Sequence, residues 1–273
     1  MHETLSILNM NSGSEIMKNN KKVYTFFESI DGWSDDKDLL KLWQQNWSDK
    51  GFEPIVLSLN DAKENPYYND FIESLFTGYR YVMQREIVHD GNPWNYYVFH
   101  NYVRFLAYAH KLDDSEISLV MDYDIYNIRY THHELSNKKL TFLSNRCPCI
   151  VSGTKQQFLS YCKWMANVIV KYKNELRQDQ ESSPYSNLHE MALLHRMHVI
   201  DPTITDCFEN IPPRESICAG LPDIKERHTL VHVSNSYLSQ HEKNHGRDHK
   251  KLPNEDKIAL RVKLAKDAIS LVS

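Results

Sequence analysis

Two carboxylates one residue apart, Asp122 and Asp124, follow directly on the apolar run Ile117-Ser118-Leu119-Val120-Met121. Hard anionic oxygens placed so close repel unless a cation joins them, and Mg2+ or Mn2+ bridging to a diphosphate would satisfy both. Side chains of an extended chain alternate in direction, so the two acids are expected on one side of it. A bare D-x-D is common in solvated turns. What singles this one out is its place at the end of a buried strand, because ligands of open α/β sheets bind beyond the carboxyl ends of strands.

Other residues could complete such a centre. His232, in Leu230-Val231-His232-Val233, could add an imidazole, which favours Mn2+ over Mg2+; its competing reading is a core histidine bonded to backbone. Arg104 is one of the few charges in an apolar helical run and suits either a phosphate contact or a helix-flank salt bridge. Glu190 stands at the start of a helix, where the N-terminus favours an acid in any case. Val151-Ser152-Gly153-Thr154 suits a plain helix start, with Gly153-Thr154 as turn and cap. Trp33, Trp94 and Tyr126 could stack on a base or sugar or simply fill the core.

Several familiar chemistries are missing. No G-x-G-x-x-G, G-x-x-x-x-G-K-[ST] or G-x-S-x-G occurs among the eight glycines. His189-Glu190 lacks the histidine that an H-E-x-x-H site needs at position 193. Cys147-Pro148-Cys149 has no partner pair at zinc spacing, and Cys162 and Cys207 read as small packed hydrophobes. His241, His245 and His249, around Gly246, read as a solvated loop.

The elements that must position these residues alternate. Strands are expected at 23–27 and 54–59, and helices at 36–50 and 69–76. In the first helix Leu39, Leu40, Leu42, Trp43 and Trp47 are spaced by threes and fours and Gly51 is the stop; Asn60-Asp61 is the expected cap for Ala62 onward. Short links in a strand–helix–strand–helix order imply parallel β-α-β units in a three-layer α/β/α arrangement with a mostly parallel central sheet. A helix at 97–112 and the strand at 117–121 follow, with shorter strands at 140–143 and 149–151. The expectations then run to a long helix at 155–176, a polar break at 177–187 and a helix at 188–198. An irregular segment at 208–227, a strand at 230–233, a polar stretch at 240–251 and a terminal helix at 255–272 complete the chain. Residues 1–21 read as a loose leader and 22–273 as one domain.

Composition bounds the partners. The chain has 273 residues, 41% hydrophobic and 25% charged, with 32 basic and 36 acidic residues interspersed in sign. No basic stripe argues for nucleic acid. No uncharged apolar run approaches the roughly 18–20 residues of a membrane span, and the first 22 residues lack a signal-like apolar stretch. Five cysteines make no disulfide framework; a reducing, cytoplasmic setting is expected.

Taken together, Asn101-Tyr102-Val103-Arg104-Phe105-Leu106-Ala107 and Leu119-Val120-Met121-Asp122-Tyr123-Asp124-Ile125 resemble the nucleotide-sugar glycosyltransferases of GT-A fold, in the group with a D-x-x-R helix ahead of a D-x-D strand. Tyr24-Thr25-Phe26-Phe27-Glu28, Trp47 to Gly51, Pro54 to Leu57, Asp61-Ala62, Pro66 and Tyr68 are similar to that group's first β-α-β unit, so the likeness covers about residues 22–127. Asn101 stands where the group has Asp, and Lys111-Leu112-Asp113-Asp114-Ser115 replaces its Gly-Gly-x-Tyr turn. The resemblance implies a GT-A (Rossmann-like) hexosyltransferase dependent on Mn2+ or Mg2+. Its donor would be a UDP- or GDP-sugar and its acceptor a glycan or other hydroxyl. Asp122 and Asp124 would hold the metal, with His232 as the third ligand from a late strand, and Phe26, Phe27, Glu28, Asn101, Arg104 and Asp122 would line the donor. Glu190 would be the general base of an inverting transfer; a retaining transfer needs none, and both courses stay open. Residues 151–154 would shape the acceptor pocket, with 22–127 as the nucleotide-sugar half and 128–273 as the acceptor half. A haloacid-dehalogenase-like phosphotransferase, with Asp122 as nucleophile, and a catalytically silent sugar-nucleotide binding module are the competing readings.

Overall fold

The computed structural model describes residues 21–29, 36–85, 87, 93–114, 116–131, 139–144, 147–182, 188–205, 208–210, 217–220, 224–244, 246 and 252–270. The expected leader, apart from Lys21, lies outside them, as do Trp33, Cys207 and the side chain of Trp94.

Strand β1 (Lys21–Phe26) is flanked in parallel by β2 (Phe52–Leu57) and β3 (Ser118–Met121). Beyond β3 the sheet continues with β6 (Cys147–Gly153), antiparallel to its neighbours, then β5 (Leu140–Ser144) and β7 (Phe208–Asn210), giving the order β2-β1-β3-β6-β5-β7. Only β6 runs against the rest, so the central sheet is mostly parallel, as expected.

Both faces of this sheet are covered, which explains why the central strand β3 is buried at every position. Tyr24, Val120, Phe142 and Val151 point into one core, with α3 (Tyr68–Met83), α4 (Pro93–Lys111), α5 (Lys155–Lys171) and α7 (Glu190–Ile200). Val23, Leu119, Met121 and Ile150 point into the other, against α1 (Lys37–Asp49) and α9 (Asn254–Ser270). The strand period therefore sorts neighbouring residues into two separate cores, the three-layer arrangement the alternation implied. Gly51, at φ +80°, ends α1 as expected, and its N–H donates to Ser48 O at 2.9 Å.

Several expectations need correction. Ser58, rather than Asn60-Asp61, caps α2 (Leu59–Lys63), and Asp61 Oδ2 accepts from the Ser58 N–H at 2.7 Å. The helix expected over 155–176 breaks at Tyr172, whose hydroxyl donates to Asp201 Oδ2 at 2.6 Å; α6 (Lys173–Ser182) then starts afresh. Residues 177–182 are helical despite their polarity, because Leu176 is buried and Arg177 lies 5.4 Å from the Tyr81 ring centroid. Likewise α8 (Asn235–Asn244), anchored by buried Leu238, enters the expected polar stretch and carries His241. Within the segment read as irregular, β7 and β8 (Cys218–Gly220) form because sheet edges elsewhere in the chain pair with them. A second, three-stranded sheet has the order β4-β9-β8, with β4 (Ile125–Asn127) and β9 (Leu230–His232) antiparallel. Among the described residues no helix is long and apolar enough to cross a membrane.

Candidate metal centre

The two acids leave the carboxyl end of β3 inside a turn, not on extended chain. Asp122 N–H still donates to Cys149 O at 2.8 Å, one residue past the strand, and Ile125 N–H then donates back to Asp122 O at 3.1 Å. The acids share a side because this turn folds them together; the alternation argument gave that outcome for the wrong reason.

The same turn feeds β4, and the β4–β9 register sets Ile125 opposite His232. Val233 N–H donates to Asp124 O at 2.9 Å, fixing the join. His232 Nε2 thereby comes to 3.1 Å from Asp124 Oδ1. One ligand atom each from Asp122, Asp124 and His232 lie within 4.8 Å of one another. Side-chain exposures of 28%, 12% and 21% leave the group partly shielded yet open to a ligand.

Two arginines reach the acids from opposite layers. Arg104, on α4, donates through Nη1 to Asp122 Oδ1 and through Nη2 to Glu190 Oε1 at 2.9 Å and Pro148 O at 3.1 Å. Arg261, on α9, donates to Asp124 Oδ2 at 2.9 Å and to Asp36 Oδ2 at 2.8 Å. Each acid is thus bound by a guanidinium through one oxygen. The four carboxylates of this cluster, Asp36, Asp122, Asp124 and Glu190, face two guanidiniums, leaving a formal charge of −2 before His232 is counted.

The two acids are pushed in opposite directions. Burial and the charge of Asp124 push Asp122 above the usual carboxylate range, with Arg104 opposing. Asp124 is also buried, but His232 and Arg261 outweigh that and hold it below the range. A divalent cation fits the residues present. Asp124 Oδ1 is not taken by Arg261, and its 3.1 Å spacing from His232 Nε2 matches neighbouring ligands of an octahedral ion, about 3.0 Å apart when bonds are about 2.1 Å long.

The remaining expected residues fall around this cluster. Asn101 lies one turn before Arg104 on α4 and shares a side-chain hydrogen bond with Tyr97, one turn earlier still. Phe27, just past β1, packs edge-on against Tyr123 with ring centroids 5.2 Å apart. Phe26 is buried in the α4-side core beside His100, and Glu28 accepts from the Leu59 N–H at the start of α2. Tyr126 is fully buried and its hydroxyl donates to Leu39 O at 3.3 Å, so it fills core and stacks on no ligand. Gly153 ends β6 and Thr154 caps α5, accepting from the Gln157 N–H at 3.3 Å. Cys149 and Cys162 are buried free thiols.

Sequence reasoning missed Arg261, Asp36 and Tyr97. Tyr97 could have been found from its spacing of four and seven residues to Asn101 and Arg104 on one helix face. Nothing local marks Arg261. A cavity of about 880 Å³ beside α5, lined by Lys139, Lys163, Trp164, Lys171 and Phe208, shares no residue with the acid cluster.

No protein-family profile matches the chain, and no curated protein sequence does. Among solved structures it is similar to a glycosyltransferase involved in the glycosylation of the major capsid of PBCV-1, with a TM-score of 0.37 and 10% identity, over 81% of this chain and 97% of that one.

Proposed function

We propose that this chain is a GT-A-type glycosyltransferase that moves a hexosyl group from a UDP- or GDP-sugar to an acceptor hydroxyl, using Mn2+ or Mg2+ held by Asp122, Asp124 and His232. The observation that carries this reading is the convergence of those three ligand atoms, with a formal charge of −2 around them, at the carboxyl end of a central strand. A bound divalent cation supplies charge neutralisation as the bond between the sugar and the diphosphate breaks.

The chain's own groups divide the rest of the task. Burial disfavours the charge on Arg104, but Asp122 and Glu190 outweigh it and keep the guanidinium ionised beside the acids, where it suits a diphosphate oxygen. Phe27, just past β1, and Tyr123, in the turn after β3, offer ring edges to a nucleobase; Asn101 and Tyr97 offer polar groups on the α4 side. Glu190 is buried and its Oε1 accepts from Arg104 Nη2 at 2.9 Å. That contact favours Glu190 as the group that orients Arg104 over the general-base role expected for it. Alignment of the acceptor hydroxyl on the anomeric carbon would provide much of the remaining acceleration.

The phosphotransferase reading finds less support, since the Asp122 carboxylate that would attack phosphorus is engaged by Arg104. A thermal-shift screen of nucleoside diphosphates with and without Mn2+, followed by donor hydrolysis, tests the proposal. A metal-dependent rise in melting temperature with one base, and release of sugar from the matching donor, is expected. Stabilisation without sugar release would mark a silent binding module; no metal-dependent shift with any base would sink the assignment.

A further inference from the structure

Arg261 lies 137 residues from Asp124 in sequence and is 3% exposed. Its guanidinium is fixed on three sides: Nη2 on Asp124 Oδ2, Nη1 on Asp36 Oδ2, and Nε donating to Val233 O at 3.3 Å. Each partner is itself held. Asp36 precedes α1 and accepts from the Tyr123 hydroxyl at 2.6 Å, and Tyr123 is the middle residue of the D-x-D turn. Val233 holds Asp124 a second time, through the backbone. The Asp124 carboxylate therefore cannot swing round to offer both oxygens to one ion.

We propose that Arg261 is a positioning residue that sets the cation preference of the site: by occupying Oδ2 of Asp124 it leaves Oδ1 as that acid's one ligand atom, favouring a small octahedral ion such as Mn2+ over Ca2+. This rests on the metal-binding reading of Asp122, Asp124 and His232. The reason is coordination chemistry. Ca2+ takes six to eight oxygens and readily uses carboxylates in bidentate fashion, whereas smaller octahedral ions bind them through single oxygens at shorter distances. A pinned, one-oxygen Asp124 denies Ca2+ the bidentate grip that it uses and a smaller ion does not need. Released, the same acid could chelate.

Isothermal titration of MnCl2 and CaCl2 into the full chain, without nucleotide, tests this. Arg261→Met combined with Asp36→Asn removes one positive and one negative charge together, so the formal charge of the cluster stays constant and the titration reads orientation. Near-UV circular dichroism establishes that the variant is folded. The Mn2+/Ca2+ affinity ratio is expected to fall by about tenfold, as for other losses of groups that orient metal ligands, with Arg261→Lys in between. An unchanged ratio in the folded double variant overturns the role of Arg261. Should that variant not fold, Asp36→Asn alone, which removes one anchor of Arg261, must move the ratio in the same direction, and an unchanged ratio there overturns it too. Binding of neither ion by the unaltered chain would overturn the metal site itself, a different result from equal ratios.

Discussion

Asp122 and Asp124 sit two residues apart yet belong to different layers of the molecule. Asp122 is tied to the α4/α7 side through Arg104 and Glu190, and its side chain is 28% exposed. Asp124 is tied to the α1/α9 side through Arg261 and Asp36, and is 12% exposed. The sheet end at β3 is where the two covers meet, so a cation there would be gripped from both faces. The wetter arm suits exchange with a ligand. The drier arm suits holding a ligand atom still.

The largest expected effect separates the arms by stability. Arg261→Met strands two buried carboxylates and should cost about 3–5 kcal/mol in urea unfolding. Arg104→Met also strands two acids, but the more exposed Asp122 can hydrate, so a loss nearer 2 kcal/mol is expected. Equal costs would break the comparison. Next come the ligands: Asp122→Asn and Asp124→Asn should each lower Mn2+ affinity more than about 100-fold by titration, and His232→Ala about 10–100-fold.

Acid should weaken the α4/α7 side selectively. Burial brings the pKa of His100 down to about 4, and burial, with help from Arg196 and Arg104, does the same for His189. His189 caps α7 by accepting from the Ala192 N–H at 3.3 Å, which only a neutral Nδ1 can do. Unfolded histidine takes up a proton near pH 6.5 while these folded ones do so only near 4. Stability is therefore full above about 6.5 and falls toward 4, by about 1.4 kcal/mol per pH unit for each histidine. His189→Asn, which can still cap, should remove its share of that slope; an unaltered slope would refute the assignment. The smallest effect tests the other side. Tyr126→Phe deletes one buried hydrogen bond to Leu39 O and should cost about 1 kcal/mol while leaving nucleotide binding unchanged.

Much of this architecture was legible because it is local. The spacing of Leu39, Trp43 and Trp47, the positive-φ Gly51 and the apolar β3 each report on a few neighbouring residues, and their alternation implied a parallel sheet covered on both faces. The acids, Glu190 and His232 could be nominated from the strand and helix ends on which they stand, and Arg104 as a charge inside an apolar helix; the fold brings all of them into one cluster. Where burial overrode composition, as in α6 and α8, local polarity misled.

What the sequence determined, then, was the set of elements and which of their ends carry charge, since hydrophobic period, turn residues and caps act over a handful of positions. Tertiary structure alone decided how that charge is shared. Arg261 meets Asp36 and Asp124 only because α9 packs beside α1 under the same face of the sheet, and His232 reaches Asp124 only through the β4–β9 register. Long-range ion pairs leave no periodicity in a chain: a buried guanidinium is fixed by whichever acids the folded layers bring within about 3 Å, and that distance exists only after packing.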